Sequence, residues 1–510
     1  MKKGLFILNT DNVNQSLINL YLFMCEKQYD LYCFALRNDD LSLHAFEKQN
    51  LKLLKIDEIC SLNRFDFIVC GRNCFGAFSP NELIDYNGII YTDDTAFYEG
   101  RAVFGDVVFV NGLFNELNIK KISNFEVFAV GCLKGLINYR KKSELWSKVH
   151  RYHTKVLYIE SGHYPFGQEG RLALAHAFAQ IVIENPECEF IVKPRFLIGE
   201  ASTANHGNTD YLFYYVKSFF NDEWPENLTW LDEYYSLDIL ISEADVVIHT
   251  YSSAHSQAAL QGKRIINLID IPSFETADFR TNRFNQIKNV IDLAGNNISI
   301  TELKDCIVNS HKASDEYVTN LGAYYREPQR LIENYINSGT TKRLSDRRAK
   351  RMRGYFYYVI SVCENRFDEY EYFLKKMDHD LKLIKIEEFD TKEFIMFVND
   401  KVNEYQLEYI RENWENICSN KFDRAYALRV LYETDNIRLL KRMIDDAYVV
   451  YPIDSSYYYY LSVYHKKVNE LIEAKHYALE YIEHIKYLKY ETLDSERNTN
   501  ITKMKEVILL

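Results

Sequence analysis

Short apolar runs alternate with polar, helix-like stretches over about the first 140 residues of the chain. The runs are GLFILNT (4–10), YDLYCFAL (29–36), FDFIVCG (65–71), GIIYTDD (88–94), GDVVFVN (105–111) and FEVFAVG (125–131). Brief apolar runs separated by helices are typical of parallel strands that are buried on both faces. The pattern predicts an N-terminal α/β domain over residues 1–145.

The same pattern restarts after a polar and basic stretch at residues 139–155. The next runs are VLYIESG (156–162), EFIVKPR (189–195), LTWLD (228–232), VVIHTY (246–251) and RIINLID (264–270), with YYSLDILISEAD and SSAHSQAALQGK as crossover helices. Strands that alternate with helices in this way predict a second doubly wound sheet. We therefore expect a second Rossmann-like domain over residues 146–330.

Beyond about residue 320 the apolar spacing becomes helical and strand-like runs become rare. The segment SSYYYYLSVYHKKVNELIEAKHYALEYIE (455–483) resembles one tetratricopeptide helix pair, with Leu461, Ala474 and Ala478 near the expected positions. A lone repeat cannot bury its own apolar face, and no clear second copy is present. The prediction is a helical accessory domain over residues 331–510. The expected fold class is thus two Rossmann-like doubly wound α/β domains followed by an α-helical C-terminal domain.

The composition narrows the class of protein. A chain of 510 residues is too long for one core, and its formal net charge of −12 disfavours non-specific binding to nucleic acid. The ten cysteines are scattered, with no CxxC pair and no His/Cys cluster at metal-ligand spacing. The start MKKGLFILNTDN reads as a first strand, not as a signal peptide, and no apolar stretch approaches the roughly 18 residues of a membrane span. We expect a cytoplasmic protein with no metal site and no nucleic-acid partner.

Two loops that follow strand ends in the second predicted domain suit an anionic ligand. In ESGHYPFGQEG (160–170), the glycines allow main-chain amides to approach an anion. In VKPRFLIGE (192–200), a lysine and an arginine flank a proline and could clamp a diphosphate. The ligand contacts assigned in these loops are Ser161, Gly162, Lys193 and Arg195, and His163 is assigned to a leaving phosphate. Each loop also has a purely structural reading, as a turn or as solvated charges at a strand end.

A third loop lies within VVIHTYSSAHSQAALQGKRIINL (246–268), where a buried strand enters a hydroxyl-rich turn. The hydroxyls of Thr250, Ser252 and Ser253 could bind a phosphate, and a serine here could equally cap the following helix. His255 and Gln257 then lie near the ligand or against the sheet. A structural role for this histidine is as well supported as a ligand contact.

The second domain resembles part of a known enzyme family. The stretch LTWLDEYYSLDILISEADVVIHTYSSAHSQAALQGKRIINL (228–268) resembles the nucleotide-binding half of GT-B glycosyltransferases in its order of strand, acidic-aromatic turn, hydroxyl turn, helix and glycine-lysine pair. Its serine pair is similar to the TDYSS turn of the teichoic-acid glycerophosphotransferases, a GT-B group that uses CDP-glycerol, and VKPR (192–195) is similar to their RPHP turn. Their WHG and GYPRND turns would correspond to residues 91–101 and 130–135. The similarity covers roughly residues 60–270 as an order of motifs.

Several positions depart from the pattern of that group. Arg195 stands where RPHP has its histidine, and Asp93 and Asp94 stand where the WHG histidine would be. Gln257 occupies the position of the ribose-binding glutamate of most nucleotide-sugar GT-B enzymes. The missing histidines argue against simple glycerophosphate transfer. The resemblance implies a metal-independent glycosyltransferase that needs no cofactor and takes a nucleotide-activated donor as its co-substrate.

An inverting transfer needs a base for the acceptor hydroxyl and a site that holds the departing phosphate. The base is expected at a strand end of the first domain, where Asp94 or Asp93 is favoured over Asp11. The alternative is that these carboxylates serve only as turn or cap residues. Asp11 and Arg101 are assigned to the acceptor, which Arg101 could steer if it is anionic.

The sequence thus predicts a glycosyltransferase that moves a sugar from a nucleotide donor, with a CMP-sugar slightly favoured, to a bacterial surface glycan. Capsule and lipopolysaccharide are the expected kinds of acceptor, either free or lipid-linked. The alternatives are a polyol-phosphate transferase of the CDP-glycerol type, a UDP-sugar 2-epimerase of the same fold and a non-catalytic GT-B-derived assembly scaffold.

A basic run at residues 340–353 contains seven Lys or Arg residues and one Asp. One reading is a solvated helix that leads into the third domain. The other is contact with anionic lipid headgroups, each cation contributing about 1 kcal/mol. The second reading predicts a peripheral position at the inner face of the membrane.

Overall fold

We describe the fold from a computed structural model. The residues that it describes are 2–8, 11–27, 29–36, 51–55, 58–59, 61–71, 79–86, 88–93, 104–122, 126–131, 152–160, 167–194, 210–221, 223–233, 235, 237–250, 252, 254–269, 294–300, 303, 305–320, 328–338, 344–364, 370–419, 421–450, 454–487 and 494–510. Every structural statement below concerns these residues.

The first sheet consists of seven parallel strands. Their bounds are β1 (Lys2–Leu8), β2 (Tyr29–Ala35), β3 (Leu53–Leu54), β4 (Phe67–Cys70), β5 (Ile89–Asp93), β6 (Val107–Val110) and β7 (Glu126–Ala129). The described helices of this part are α1 (Asp11–Cys25), α2 (Pro80–Asp85) and α3 (Leu113–Ile122), with a 3-10 turn at Leu62–Arg64. The strand order is β3-β2-β1-β4-β5-β6-β7, so the winding reverses between β1 and β4. Such a reversal is the switch point of a doubly wound sheet.

The second sheet repeats this plan. Its strands are β8 (Thr154–Ile159), β9 (Cys188–Lys193), β10 (Leu228–Trp230), β11 (Val246–His249), β12 (Arg264–Ile269), β13 (Asn296–Ser299) and β14 (His311–Lys312). Its described helices are α4 (Gly167–Glu184), α5 (Asp210–Phe219), α6 (Leu237–Glu243), α7 (Ala254–Leu260) and α8 (Asp315–Asn320). The order β10-β9-β8-β11-β12-β13 places the switch point between β8 and β11, and β14 pairs antiparallel with β12.

Both faces of the second sheet are covered, as its apolar runs predict. Ile159 and Val247 pack with α6 and α7 on one face, while Tyr158 and Ile248 pack with α4 on the other. Helix α7 is followed by a turn at Gly262, whose φ of +65° is a left-handed conformation that glycine adopts at low cost. The side chains of β8 and β11 therefore alternate between two apolar layers, and the carboxyl ends of these strands are held in place.

The rest of the described chain is helical. The helices are α9 (Pro328–Ser338), α10 (Leu344–Glu364), α11 (Tyr370–Leu383), α12 (Thr391–Glu412), α13 (Trp414–Ser419), α14 (Lys421–Glu433), α15 (Ile437–Val450), α16 (Ser455–Lys467), α17 (Leu471–Tyr487) and α18 (Asp494–Leu509), with a 3-10 turn at Ile386–Glu388. This confirms the predicted fold class of two Rossmann-like doubly wound domains followed by an α-helical region. Within the segments given above, no helix is both long and apolar enough to cross a membrane.

Internal contacts divide the chain into two compact units near residue 358. One unit contains both sheets and reaches Tyr358, and the other begins at Val359 and reaches Leu510. Helix α9 belongs to the first unit, because Ile332 and Ile336 are buried in the same apolar cluster as β1 and α1. The predicted domain boundaries at residues 145 and 330 stay predictions, but the residues just after 330 pack on the first sheet.

Helix α10 is joined to the first sheet by a buried ion pair. The Arg351 guanidinium is 1% exposed, and its Nε donates to Asp106 Oδ1 at 2.9 Å. Its other nitrogens donate to Asp106 Oδ2 and to the carbonyl oxygens of Leu83 and Ile84. One cation of the basic run is therefore unavailable to a lipid surface. The exposed members of the run that the structure describes are Lys350 and Arg353.

The second unit contains the helix pair that the tetratricopeptide-like segment predicts. Helices α16 and α17 pack along Ala474 and Ala478, both fully buried, and Ser462 Oγ donates to the carbonyl oxygen of Ala474 at 2.8 Å. Small residues at these positions allow the two helices to approach closely. Leu461, the third residue named for this motif, is half-buried.

Candidate functional site

Three neighbouring strands of the second sheet end at the same level. Cα pairing in the parallel ladders matches Ile159 of β8 with Lys193 of β9 on one side and with His249 of β11 on the other. The three loops that the sequence predicts as anion-binding leave the sheet from these positions. Because the switch point lies between β8 and β11, they start where ligands of doubly wound sheets bind.

The structure describes part of the predicted site. Five assigned residues have described side chains: Lys193, Thr250, Ser252, His255 and Gln257. The assigned residues that lie outside the described residues are Ser161, Gly162, His163, Arg195, Ser253, Asp94 and Arg101. For the second group only the sequence prediction stands.

The hydroxyl of Thr250 faces the protein interior. Thr250 is fully buried, and its Oγ1 lies 3.3 Å from the phenol oxygen of Tyr158 in β8. Burial raises the pKa of Tyr158, so the phenol keeps its proton and can donate it to the threonine. This pair joins the ends of β8 and β11 and gives Thr250 a structural partner.

Two histidines hold the main chain of Ser252 in the turn that follows β11 (residues 250–253, called the serine turn below). The Ser252 N–H donates to His249 Nδ1 at 3.2 Å, and the Ser252 carbonyl oxygen lies 2.7 Å from His255 Nδ1. The two rings stack, with centroids 5.4 Å apart and an interplanar angle of 27°. The Ser252 hydroxyl in turn accepts from the Ala254 N–H at 3.3 Å, as a capping side chain does.

Both histidines are neutral at pH 7. Burial lowers the pKa of His255 from 6.5 to about 4, although its hydrogen bond to Ser252 opposes the shift. Burial also lowers the pKa of His249 well below its ordinary value, and the nearby His255 adds to the effect. Any positive charge offered to an anion here must therefore come from lysine or arginine. The structure assigns His255 a structural contact, one of the two readings that the sequence leaves open.

Gln257 makes a polar contact with helix α6. Its Nε2 donates to Asp238 Oδ1 at 2.9 Å, and the glutamine is 6% exposed. Burial raises the pKa of Asp238 from 3.8 to about 6, while the hydrogen bond from Gln257 acts against the shift. A carboxyl with a perturbed pKa near a switch point is a candidate for a functional role.

Lys193 is the described cation of the site. It is the last residue of β9 and half-buried, and its Nζ donates to the Pro194 carbonyl oxygen at 3.2 Å. An ammonium group has three donors, so it can bond to more than one acceptor at the same time. The neighbouring Glu160, 5% exposed, follows β8, and its N–H donates to the Lys193 carbonyl oxygen at 3.1 Å.

In the first sheet, the structure separates the candidate acidic residues. Asp11 is the first residue of α1, which follows β1, and Asp93 is the last residue of β5. One strand, β4, lies between β1 and β5, so the two strand ends are about 10 Å apart. Both positions lie at the carboxyl edge of their sheet. Helix α1 begins with an acidic residue, which its dipole favours, so Asp11 also has a structural explanation.

The sequence does not predict the roles of several residues near the site. Tyr158 reads as part of an apolar strand, His249 as the polar end of one and Asp238 as a residue within a helix. Each acquires its role from a partner on another element, namely Thr250, Ser252 or Gln257. A signal was present for His249 alone, because a histidine inside a buried strand needs a hydrogen-bond partner.

The fold and the site together define a class of protein. It is an α/β protein with two doubly wound sheets, and the second sheet carries at its switch point a lysine and a serine whose main chain is held by two histidines. Such an edge can bind an anionic group by neutral donors and one described cation.

No protein-family model matches the sequence, and no curated protein matches it. Among solved structures, the chain is similar to a UDP complex of MnaA from S. aureus, with a TM-score of 0.45 and 11% identity over 67% of this chain and 99% of that one. It is similar to UDP-GlcNAc 2-epimerase from Neisseria meningitidis bound to UDP-GlcNAc, with a TM-score of 0.42 and 10% identity over 66% and 100% of the two chains. The chain is also similar to MurG from Acinetobacter baumannii, with a TM-score of 0.38 and 12% identity over 66% of this chain and 100% of that one. Likeness at this level carries no argument, and the fold class rests on the strand order of the two sheets.

Proposed function

We propose that this chain is a GT-B-type glycosyltransferase that uses a nucleotide-activated sugar. The observation that carries the proposal is the register of Ile159, Lys193 and His249, from which all three predicted phosphate-binding loops start. Ligands of doubly wound sheets bind outside this edge. The hydroxyl of Ser252 supplies a neutral donor there, and Lys193 supplies a positive charge.

In the proposed reaction, a sugar passes from a donor bound at the loops of the second sheet to an acceptor bound at the loops of the first sheet. Asp94 or Asp93 removes the proton from an acceptor hydroxyl, and that oxygen forms a bond to the anomeric carbon of the donor sugar. The bond from this carbon to the donor phosphate breaks, and the nucleotide leaves with its electron pair. Lys193 and Arg195 stabilise the charge on the leaving group.

The remaining assigned residues take supporting roles in this proposal. Donor contacts come from the first loop and from the serine turn, and acceptor contacts come from the first domain. The donor contacts are Ser161, Gly162, Thr250, Ser252, Ser253, His255 and Gln257, the leaving phosphate meets His163, and the acceptor contacts are Asp11 and Arg101. Thr250, His255 and Gln257 would act mainly by shaping the pocket, because their described polar contacts are within the protein.

A thermal-shift screen against CMP, CDP, UDP and GDP tests the proposal. A nucleotide at a hundredfold excess over its dissociation constant should stabilise the protein by about 2.7 kcal/mol. Lys193→Gln should weaken that binding about tenfold or more, since it removes a charge-assisted contact. Lys263→Gln is the matched control: Lys263 is also half-buried and donates to a main-chain carbonyl, but it precedes β12 at the opposite edge of the sheet. A flat response to all four nucleotides would favour the scaffold alternative.

The finer parts of the proposal are a CMP-sugar donor and a capsule or lipopolysaccharide acceptor. Product analysis separates this chemistry from its rivals, because a glycosyltransferase forms a glycosidic bond and a polyol-phosphate transferase forms a phosphodiester. With the donor and acceptor that give product, Asp94→Asn or Asp93→Asn should lower the turnover about 10²- to 10⁴-fold and leave nucleotide affinity unchanged. Loss of affinity and turnover together would contradict the base assignment.

A peripheral contact with anionic membrane through residues 340–353 is part of the proposal. Since Arg351 is paired with Asp106, the contact must rest on the exposed Lys350 and Arg353 and on the rest of the run. The double variant Lys350→Glu/Arg353→Glu should co-sediment less with anionic vesicles than the wild type does. Its co-sedimentation with neutral vesicles should equal that of the wild type. Equal co-sedimentation of variant and wild type would remove this part of the proposal.

A further inference from the structure

The two stacked histidines at the end of β11 contact a single residue of the serine turn. His249 and His255 are each 1% exposed, and both bond to the main chain of Ser252, one to its N–H and the other to its carbonyl oxygen. The rings also lie against each other, and the ring of Tyr317 from α8 lies 5.6 Å from that of His255. The peptide groups on both sides of Ser252 are therefore fixed by side chains from the core.

The directions of these hydrogen bonds assign a protonation state to each ring. The Ser252 N–H can only donate, so His249 Nδ1 must carry a lone pair. The Ser252 carbonyl can only accept, so His255 Nδ1 must carry the proton. The pair thus contains one acceptor and one donor, and exchanging the two roles would break both bonds.

The consequence concerns the hydroxyl of Ser252. Its oxygen accepts from the Ala254 N–H, so its own proton is the group left to donate away from the turn. The side chain is half-buried, which leaves it accessible at the carboxyl edge of the sheet. With the main chain held by two rings and the oxygen held by the Ala254 N–H, the position of this hydroxyl is set in advance of any ligand. Such preorganisation lowers the entropic cost of binding.

We propose that His249 and His255 are positioning residues that aim the Ser252 hydroxyl at a phosphate of the bound nucleotide. This inference rests on the proposed function, because it takes the ligand at the switch point to be a nucleotide phosphate. The histidines do not touch that phosphate themselves. They act through the peptide groups of Ser252.

Two kinds of substitution separate positioning from simple packing. His249→Phe and His255→Phe keep an aromatic ring of similar size in the stack but remove the nitrogen that bonds to Ser252. His249→Asn and His255→Asn place an amide oxygen or nitrogen near the former Nδ1 and can restore the bond. We expect each phenylalanine variant to bind the nucleotide about tenfold more weakly and each asparagine variant to bind within about threefold of wild type.

Isothermal titration with CMP, CDP, UDP, GDP and inorganic pyrophosphate provides the measurement. Ile248→Ala is the control for stability, because Ile248 belongs to the same strand but packs on the opposite face with α4. It should lower the melting temperature and leave affinity unchanged. If Ile248→Ala weakens binding as much as His249→Phe, the effect is general destabilisation and the positioning role is overturned.

A double-mutant cycle with Ser252→Ala completes the test. If the histidines act through this hydroxyl, His249→Phe adds little to the loss that Ser252→Ala causes alone. Losses that multiply would overturn the inference, and so would wild-type affinity in Ser252→Ala, which can be measured even if a phenylalanine variant does not fold. If wild type binds none of the five probes, the proposed function fails and the inference with it. If wild type binds and both phenylalanine variants bind equally well, only the positioning role is lost.

Discussion

At the scale of single residues, two titratable groups near the second switch point respond to pH in opposite directions. The pKa of His255 is about 4 in the folded chain against an ordinary value of 6.5, so the unfolded chain binds this proton more tightly. The free energy of unfolding therefore falls as the pH drops from 6.5 towards 4. The pKa of Asp238 is raised from 3.8 to about 6, so its contribution falls as the pH rises through that interval.

Replacement of Asp238 by asparagine should stabilise the protein at neutral pH. An asparagine Oδ1 can still accept from Gln257 Nε2, but no charge has to be buried. We expect a gain of roughly 1 to 2 kcal/mol at pH 7.5 after allowance for solvent screening of this half-buried group. Thermal unfolding from pH 5 to 8 should show a difference between variant and wild type that shrinks towards acidic pH.

Leucine at the same position provides the contrast. Asp238→Leu also removes the charge, but it leaves the buried amide of Gln257 without its acceptor, which costs about 1 to 3 kcal/mol. Equal melting temperatures for the asparagine and leucine variants at pH 7.5 would contradict the role given to this hydrogen bond.

The sequence predicts where the site lies better than it predicts what its residues do. The strand-end rule places Lys193 and Ser252 beside the second switch point, and the structure has them there, because polar residues directly after buried parallel strands lie at one edge. The rule does not reveal that Thr250 faces Tyr158 or that His249 holds Ser252. Those contacts depend on which strands pair in the folded sheet, and the spacing of residues along the chain does not predict that pairing.

At the scale of secondary-structure elements, a buried ion pair fixes the start of α16. Arg424 of α14 is 1% exposed, and its Nη2 donates to Asp454 Oδ2 at 2.9 Å and its Nη1 to the Cys418 carbonyl oxygen at 2.8 Å. The other carboxylate oxygen of Asp454 accepts from the Ser456 N–H at 2.9 Å and so caps the helix. One aspartate therefore serves both the helix end and its neighbour.

Asp454→Ala should destabilise the helical unit by about 3 to 5 kcal/mol, because it leaves the Arg424 charge buried without its partner. Asp454→Asn should cost less, since its amide oxygen can still cap α16. The control is Asp445→Ala, which breaks an exposed ion pair with Lys441 and should cost about 0.5 kcal/mol or less. A similar shift in melting temperature for Asp454→Ala and Asp445→Ala would refute the estimate of a large cost.

The elements that the sequence predicts are those with their own apolar run. The strands that it does not predict are β3, β13 and β14, which have only two to four residues or consist largely of polar ones. Asn296 and Asn297 of β13 carry no hydrophobic signal, and they adopt an extended form by pairing with the exposed edge of β12. A strand of this kind is defined by its neighbour, so no inspection of its own residues could find it.

At the scale of the whole molecule, the first sheet depends on helices that come much later in the chain. Lys2 Nζ donates to the Ile336 carbonyl oxygen at 2.5 Å, and the Tyr29 hydroxyl donates to Asn337 Oδ1 at 2.8 Å. The ring of Tyr335 meets Phe109 edge to face at 5.5 Å. Together with the ion pair of α10, these contacts show that α9 and the part of α10 before Val359 pack against the first sheet.

Truncation at two points should reveal this dependence. A fragment that ends at residue 364 keeps α9 and all of α10, whereas a fragment that ends at the predicted boundary of 330 loses Ile332, Ile336 and Arg351. We expect the longer fragment to unfold cooperatively close to the temperature of the first unit in the full chain. The shorter one should unfold at a much lower temperature or aggregate, since Asp106 is left buried without its cation. Identical thermal transitions for both fragments would contradict this account.

The ion pair between Asp106 and Arg351 also affects how the chain folds during its synthesis. The two residues are 245 positions apart, so a ribosome that adds 5 to 20 residues per second exposes the carboxylate for roughly 12 to 50 s before its partner is synthesised. During that interval the carboxylate lacks its cation, and the Gly88 and Ile89 N–H groups that donate to its Oδ2 stabilise it only in part. The first sheet can therefore complete its packing only after the second sheet has left the exit tunnel, although its strands are synthesised first.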